Sequence, residues 1–172
     1  MAATRQLRAE RAGLVHDTPS TVRRDVYQVP IPAGANDIAF FEDNSWEKDS
    51  LFVQFTTTPA GLDAFLARLG THREHLRDGL VAVDVPPRLA GHVDWRFPPG
   101  HHWAGVTLRS RNLRPAHEIT VNLDSPHRPV VFTISTIRFV HGRHSTASPA
   151  RPAGDPFATR PRQRGAGTRV RG

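Results

Sequence analysis

The chain of 172 residues contains no cysteine, one lysine and one tyrosine, and all of its apolar runs are short. Without cysteine, disulfides, thiolate metal sites and cysteine nucleophiles are excluded, so any metal would need His, Asp or Glu ligands. No apolar run approaches the roughly 20 residues that a membrane-spanning helix needs. The first 30 residues also lack the apolar centre of a signal peptide. The sequence therefore predicts neither a membrane span nor a cleaved signal.

Positive charge is abundant, with 23 Lys and Arg against 16 Asp and Glu, but it is unevenly distributed. The net charge is +2 over residues 1–28, −1 over 29–140 and +6 over 141–172. The last segment is rich in Arg, Pro and Gly and has one aromatic residue, which is too little apolar surface to offset the entropy of ordering it. We therefore expect a flexible segment at 1–28, one domain at 29–140 and a disordered tail at 141–172.

Apolar residues alternate with polar ones through much of the predicted domain, which indicates strands. The first two predicted strands form a hairpin with a longish loop through the sequence DNSWEKDS, and DSPHRP is the turn between the last two. The predicted strands lie near residues 38–43, 51–56, 93–97, 106–108, 119–123 and 130–134.

One strong helix interrupts these strands. Thr58 suits the N-cap, Pro59 suits the first helical position, and Leu62, Phe65, Leu66 and Leu69 form one apolar face. A second short helix is predicted over 71–79, with Thr71 and Glu74 spaced as a capping box. The predicted fold class is α+β, an antiparallel sheet of about five to seven strands with the main helix, about 59–69, on one face.

Strand geometry predicts one polar patch. If Val93, Trp95 and Phe97 face the core, the alternate residues His92 and Asp94 face away. The same alternation on a later strand directs Glu118, Asn122 and Asp124 outward, and the two sets form one patch if the strands are neighbours. Such a patch suits general acid–base chemistry or an oxygen-rich metal site. A solvated sheet face explains the same pattern, and no spacing selects a metal. We therefore predict neither a metal nor a cofactor.

The stretch RFPPGHHWAGVTL carries two adjacent histidines beside a tryptophan. His101 and His102 point opposite ways in an extended chain, so a chelating pair is not expected. The same alternation places Trp103 on the wetter face with His101. Trp46, in the hairpin loop, is either an exposed contact residue or a lid over the edge of the core. The predicted ligand or partner contacts are Trp46, His92, Asp94, His101, Trp103, Glu118 and Asp124.

Catalytic motifs are missing from the sequence. No serine lies in a Gly-x-Ser-x-Gly elbow, and no glycine-rich loop could cradle a phosphate. We therefore assign no catalytic residue. The Arg-rich tail could bind nucleic acid nonspecifically, but it lacks interleaved aromatic residues and regular repeats, and charged tails are usually only solvated.

The runs VPIPAGANDIAFFEDNSWEKDSLFVQFTTTPAGLDAFLARLG, PPGHHWAGV and HEITVNLDSPHRPVVFTISTIRF resemble a group of actinobacterial proteins of unknown function, over residues 29–139. In that group a similar domain follows a membrane anchor or lipoprotein signal. The resemblance implies a small extracytoplasmic domain. We expect a noncatalytic binding or interaction domain at the cell envelope, with a protein or small-molecule partner. The alternatives are a metal-binding or hydrolytic domain using the polar sheet face, and nonspecific nucleic-acid binding through the tail.

Overall fold

The structure is a computed structural model that describes residues 13–112 and 114–139. The strands are β1 (Asn36–Asn44), β2 (Lys48–Thr56), β3 (Arg77–Asp78), β4 (Trp103–Leu108), β5 (Ala116–Asn122) and β6 (Val130–Arg138). The helices are α1 (Thr21–Val26), α2 (Pro59–Arg68) and α3 (Ala90–Val93), with 3-10 turns at Arg73–His75 and Pro87–Leu89. The predicted tail and residues 1–12 lie outside the described residues.

The strands form one sheet in the order β1-β2-β6-β5-β4-β3, and every neighbouring pair is antiparallel. The predicted α+β class and strand number are confirmed, and the predicted main helix corresponds to α2, one of a few short helices. Thr58 caps α2 by accepting a hydrogen bond from the Gly61 amide at 3.1 Å. The β1–β2 hairpin is also present, but its loop is only residues 45–47, because pairing continues to Asn44 and Asp49.

The first face of the sheet carries the main core. Leu62, Phe65 and Leu66 of α2 are fully buried there, and the Phe65 ring lies edge-on to Phe55 with 5.2 Å between centroids. Fully burying a side chain of this size contributes about 1.5–3 kcal/mol relative to exposing it. Tyr27 and Val29 join the same core. The predicted boundary at residue 28 is therefore wrong, since α1 and Tyr27 belong to the folded domain.

The second face is covered as well, which the sequence did not predict. The chain from 80 to 97 crosses this face, and its Val83, Leu89 and Val93 are buried against Phe52 and Ile134. The crossing segment has no strand partner, but the hydroxyl oxygen of Thr120 accepts from the amides of Ala82 and Val83 at 2.8 and 3.1 Å. The prediction that this face is solvated is therefore wrong. The sheet lies between two apolar layers.

Two predicted elements are replaced by others. The strand expected at 93–97 begins as the last turn of α3, and Asp94 then adopts φ of 47°, so the chain leaves the direction a strand needs. The helix expected over 71–79 is only a 3-10 turn at Arg73–His75, without a side-chain cap. Residues 77 and 78 pair with β4, and this tertiary pairing overrides the local helix signal.

Candidate functional site

A cleft of about 470 Å³ opens where α2 ends and β4 passes into β5. Its floor is formed by side chains of the first sheet face, Val106, Leu108 and His117. Four arginines, Arg68, Arg109, Arg111 and Arg114, line it together with Gln28, Leu69, Gly70, Thr71, His75, Thr107 and Pro115.

Local chain geometry brings the arginines to this cleft. Arg68 lies in the last turn of α2, where the helix dipole favours a cation. Gly70, with φ of 80°, ends the helix, and the amides of Gly70 and Thr71 donate back to Ala67 and Leu66. Between β4 and β5 the Arg114 amide donates to Arg111 at 2.9 Å. This turn keeps three arginines, Arg109 among them, at one rim.

The cleft is strongly cationic because no Asp or Glu is among its described lining residues. Four other described arginines form ion pairs, among them Arg73 with Asp63 and Arg88 with Asp43, at 2.6 Å each. Among the described residues, none of the four lining arginines forms an ion pair, and all four are exposed. Each guanidinium offers five donors in a planar fork that matches phosphate and carboxylate oxygens.

His117, at the floor of the cleft, is 4% exposed. Its Nε2 lies 2.9 Å from the Gln28 carbonyl oxygen and 3.1 Å from that of Tyr27. Carbonyl oxygens only accept, so Nε2 carries a proton and donates it to them. Burial, outweighing the backbone hydrogen bonds, lowers the pKa of His117 and keeps the ring neutral at pH 7. The imidazole therefore anchors the Gln28 wall of the cleft.

The residues of the predicted polar patch are separated in the structure. His92 stacks on Phe41, with 5.2 Å between ring centroids, near the β1 edge of the sheet. Asp94 bonds Arg96, and Asp124 lies beyond the end of β5 beside His101. Within the described part of the chain, no three His, Asp or Glu side chains are placed to hold a metal. The prediction of one combined polar patch is therefore wrong, because residues 93–97 do not form the strand that was expected to carry His92 and Asp94.

Glu118 lies on the second face, in a different cavity of about 380 Å³. Its side chain is partly buried, and burial raises its pKa, with the Asp84 carboxylate adding to the rise. The Asp84 amide donates to its Oε2 at 3.3 Å. The Ser50 and Thr136 hydroxyls bond each other at 3.2 Å in the same cavity. Glu118 is thus partly dehydrated, but without the partners predicted for it.

The adjacent histidines contact different carboxylates. His101 Nδ1 lies 2.6 Å from Asp124, and His102 Nε2 lies 2.8 Å from Asp78. The Asp124 carboxylate also accepts from the His102 amide at 2.7 Å, and these two contacts lower the pKa of Asp124 to about 2. These hydrogen bonds connect the residues just before β4 to β3 and to the end of β5.

The two predicted tryptophan contacts differ in exposure. Trp103 is 7% exposed, with its Nε1 donating to the Pro98 carbonyl at 2.9 Å and its ring edge-on to Phe97. Its predicted place on a wetter face is wrong, because the segment from 80 to 97 covers that face. Trp46 is 82% exposed at the tip of the β1–β2 hairpin, so it is not a lid over the core.

Sequence reasoning missed the four arginines of the cleft. The near-neutral charge of residues 29–140 concealed them, because the compensating carboxylates lie elsewhere in the fold. The local signal was present in RSRNLR, residues 109–114, where three arginines stand between two strands with no acidic residue. Arg68 could not have been added to that group without knowing where α2 ends.

None of the helices within residues 13–112 and 114–139 combines the length and the apolarity needed to cross a bilayer. No protein-family model matches the chain, and searches of curated proteins and of solved structures also give no match.

Proposed function

We propose that this chain is a noncatalytic binding domain that takes a small anionic ligand in the arginine cleft. The observation that carries the proposal is the convergence of Arg68, Arg109, Arg111 and Arg114 on one concave surface without a lining carboxylate. Like charges gathered in this way repel one another, and a bound anion relieves that repulsion. A ligand with phosphate groups offers the oxygen geometry that guanidinium groups bind in pairs.

The state of His117 supports binding rather than proton transfer. Its Nε2 proton is held by two backbone carbonyls, so the ring fixes the cleft wall instead of acting on a ligand. The cleft thus supplies charge and hydrogen-bond donors, while its buried imidazole is already engaged. A bound phosphate ester or anhydride should therefore be released unchanged.

The first test measures binding of inorganic triphosphate by isothermal titration calorimetry. Arg111→Gln and Arg68→Gln should each weaken binding roughly tenfold, because each removes charge-assisted hydrogen bonds. Arg128→Gln is the matched control, since Arg128 is exposed in the β5–β6 turn away from the cleft. Triphosphate recovered intact by ³¹P NMR supports a noncatalytic role. Absence of binding, or equal effects of all three substitutions, would contradict the proposed function.

A place at the cell envelope is a separate proposal, and the resemblance to the actinobacterial group is its support. The prediction is that antibody detects the native protein in the envelope fraction of its host. Recovery in the cytoplasmic fraction alone would remove this part of the proposal and leave ligand binding to be judged on its own test.

A further inference from the structure

A second cavity, of about 400 Å³, adjoins the arginine cleft on the side of α1. The two cavities share Gln28, Arg68, Leu69 and Arg114 in their linings. Residues at a shared wall can contact ligand on either side, so the two cavities form adjoining parts of one surface depression. We call this combined depression the long groove.

Cationic side chains continue from one cavity into the other. Arg109 and Arg111 line the first cavity alone, Arg68 and Arg114 line both, and Arg24 is added in the second. A single small anion cannot occupy both cavities at once. A chain of anionic groups could contact every one of these arginines, and each added contact would strengthen binding.

The residue types of the lining also indicate which other chemical groups such a ligand has. Neither cavity has Phe, Tyr or Trp among its described lining residues. Proteins that bind single-stranded nucleic acid generally stack the bases on aromatic rings. The long groove therefore matches a linear polymer whose phosphate groups repeat without aromatic bases.

We infer that the long groove binds such a linear polyphosphate-type polymer, an inference that rests on the proposed function of the arginine cleft. Its phosphates would contact Arg109 and Arg111 at one end, Arg68 and Arg114 at the junction, and Arg24 at the other end. Asp25 lies in the second cavity and is exposed, so its carboxylate opposes the polymer there.

The test compares inorganic triphosphate with long-chain inorganic polyphosphate on the full chain. Arg24→Gln should weaken long-chain binding several-fold, and Asp25→Asn should strengthen it several-fold, because both side chains line the second cavity. Neither substitution should change triphosphate binding by more than about twofold, since triphosphate is small enough for the first cavity, of about 470 Å³, which Arg24 and Asp25 do not line. Opposite effects from neighbouring residues would not arise from general damage to α1.

Matched controls separate the groove from net charge. Arg128→Gln and Glu47→Gln make the same charge changes at exposed positions far along the chain from both cavities. Each should leave the ratio of long-chain to triphosphate affinity unchanged. Residues 141–172 are Arg-rich in every variant, so the titrations are fitted with a second independent site that has the same affinity in all variants.

The outcomes for the groove and for the cleft are distinguishable. If triphosphate binding depends on Arg111 but long-chain binding ignores Arg24 and Asp25, the extended groove is overturned while the proposed function stands. If triphosphate does not bind at all, the proposed function itself fails. If oligothymidylate with a similar number of phosphates binds tighter than polyphosphate, the ligand class is nucleic acid and the inference is overturned.

Discussion

At the scale of single residues, the buried His117, which anchors the cleft wall, makes the stability of the fold depend on pH. Its pKa is lowered by burial, whereas in the unfolded chain it should titrate near 6.5. Below about pH 6.5 the unfolded chain therefore binds a proton that the folded chain does not. The stability that neutral His117 contributes is complete above that pH and is lost progressively as the pH falls.

His117→Gln should reduce this pH dependence, because the glutamine amide can donate to a carbonyl but does not titrate. Between pH 7 and 5, the free energy of unfolding of the variant should lose up to about 1.4 kcal/mol per pH unit less than that of the parent chain. Urea unfolding across this range measures it. His127→Gln, in the exposed β5–β6 turn, is the control and should follow the parent curve. A His117→Gln curve parallel to the parent's would show that His117 is not the group responsible.

The residues of the cleft show what local sequence can and cannot supply. Arg109, Arg111 and Arg114 are close in sequence, so their joint appearance was available from RSRNLR. The role of His117 could not be found from local sequence, because its carbonyl partners Tyr27 and Gln28 lie 90 and 89 residues away. Contacts of that range depend on the sheet order, which alternation alone does not determine.

At the scale of elements, Gly105 permits the segment from 80 to 97 to cross the second face. A Cβ atom at Gly105 would lie 2.7 Å from the Leu80 carbonyl oxygen and 3.0 Å from that of Ile119. Both neighbours are backbone atoms, so a side-chain rotation cannot relieve the contact. A glycine inside a strand often marks such a close backbone approach, and this was the sequence signal for the second layer.

Gly105→Ala should lower the free energy of unfolding by about 1–3 kcal/mol through overpacking. Gly91→Ala in α3 is the matched control, because a Cβ there would meet nothing within 4 Å. That control should be neutral or slightly stabilising, since alanine favours helix. Chemical denaturation of both variants makes the comparison. Equal stability of the two variants would mean that the crossing segment can move away from β4 at little cost.

The elements with strong local signals were predicted and those without were not. Thr58 and Pro59 identify the start of α2, and alternation identifies four long strands correctly. The alternation of Val93, Trp95 and Phe97 was misread, because Val93 ends α3 while Trp95 and Phe97 pack on the sheet without strand pairing. Trp95 reaches the sheet by donating from Nε1 to Gln54 at 2.7 Å, without any strand pairing. Backbone pairing cannot be inferred from side-chain period alone.

At the scale of the whole molecule, protection should decrease from the centre of the sheet to its β3 edge. β2 and β6 pair over nine consecutive positions and are covered on both faces, whereas β3 pairs through only two residues. Native-state hydrogen exchange should therefore be slowest for β2 and β6 amides and much faster for β3. Exchange rates corrected for the intrinsic rate of each amide provide the control. Uniform protection across the sheet would show that it opens only as a single unit.

The antiparallel pairing of β2 with β6 also bears on how the protein is made. Lys48 pairs with Arg138, and Thr56 with Val130, so the middle of the sheet is closed by β6, the last of the six described strands to be made. Until then β2 has β1 on one side and an open hydrogen-bonding edge on the other. During synthesis, its Leu51, Val53 and Phe55 therefore lack the packing partners that later strands supply. The sheet therefore cannot be completed until β6 has been made, and a chain stopped before residue 130 would present an apolar strand edge open to aggregation.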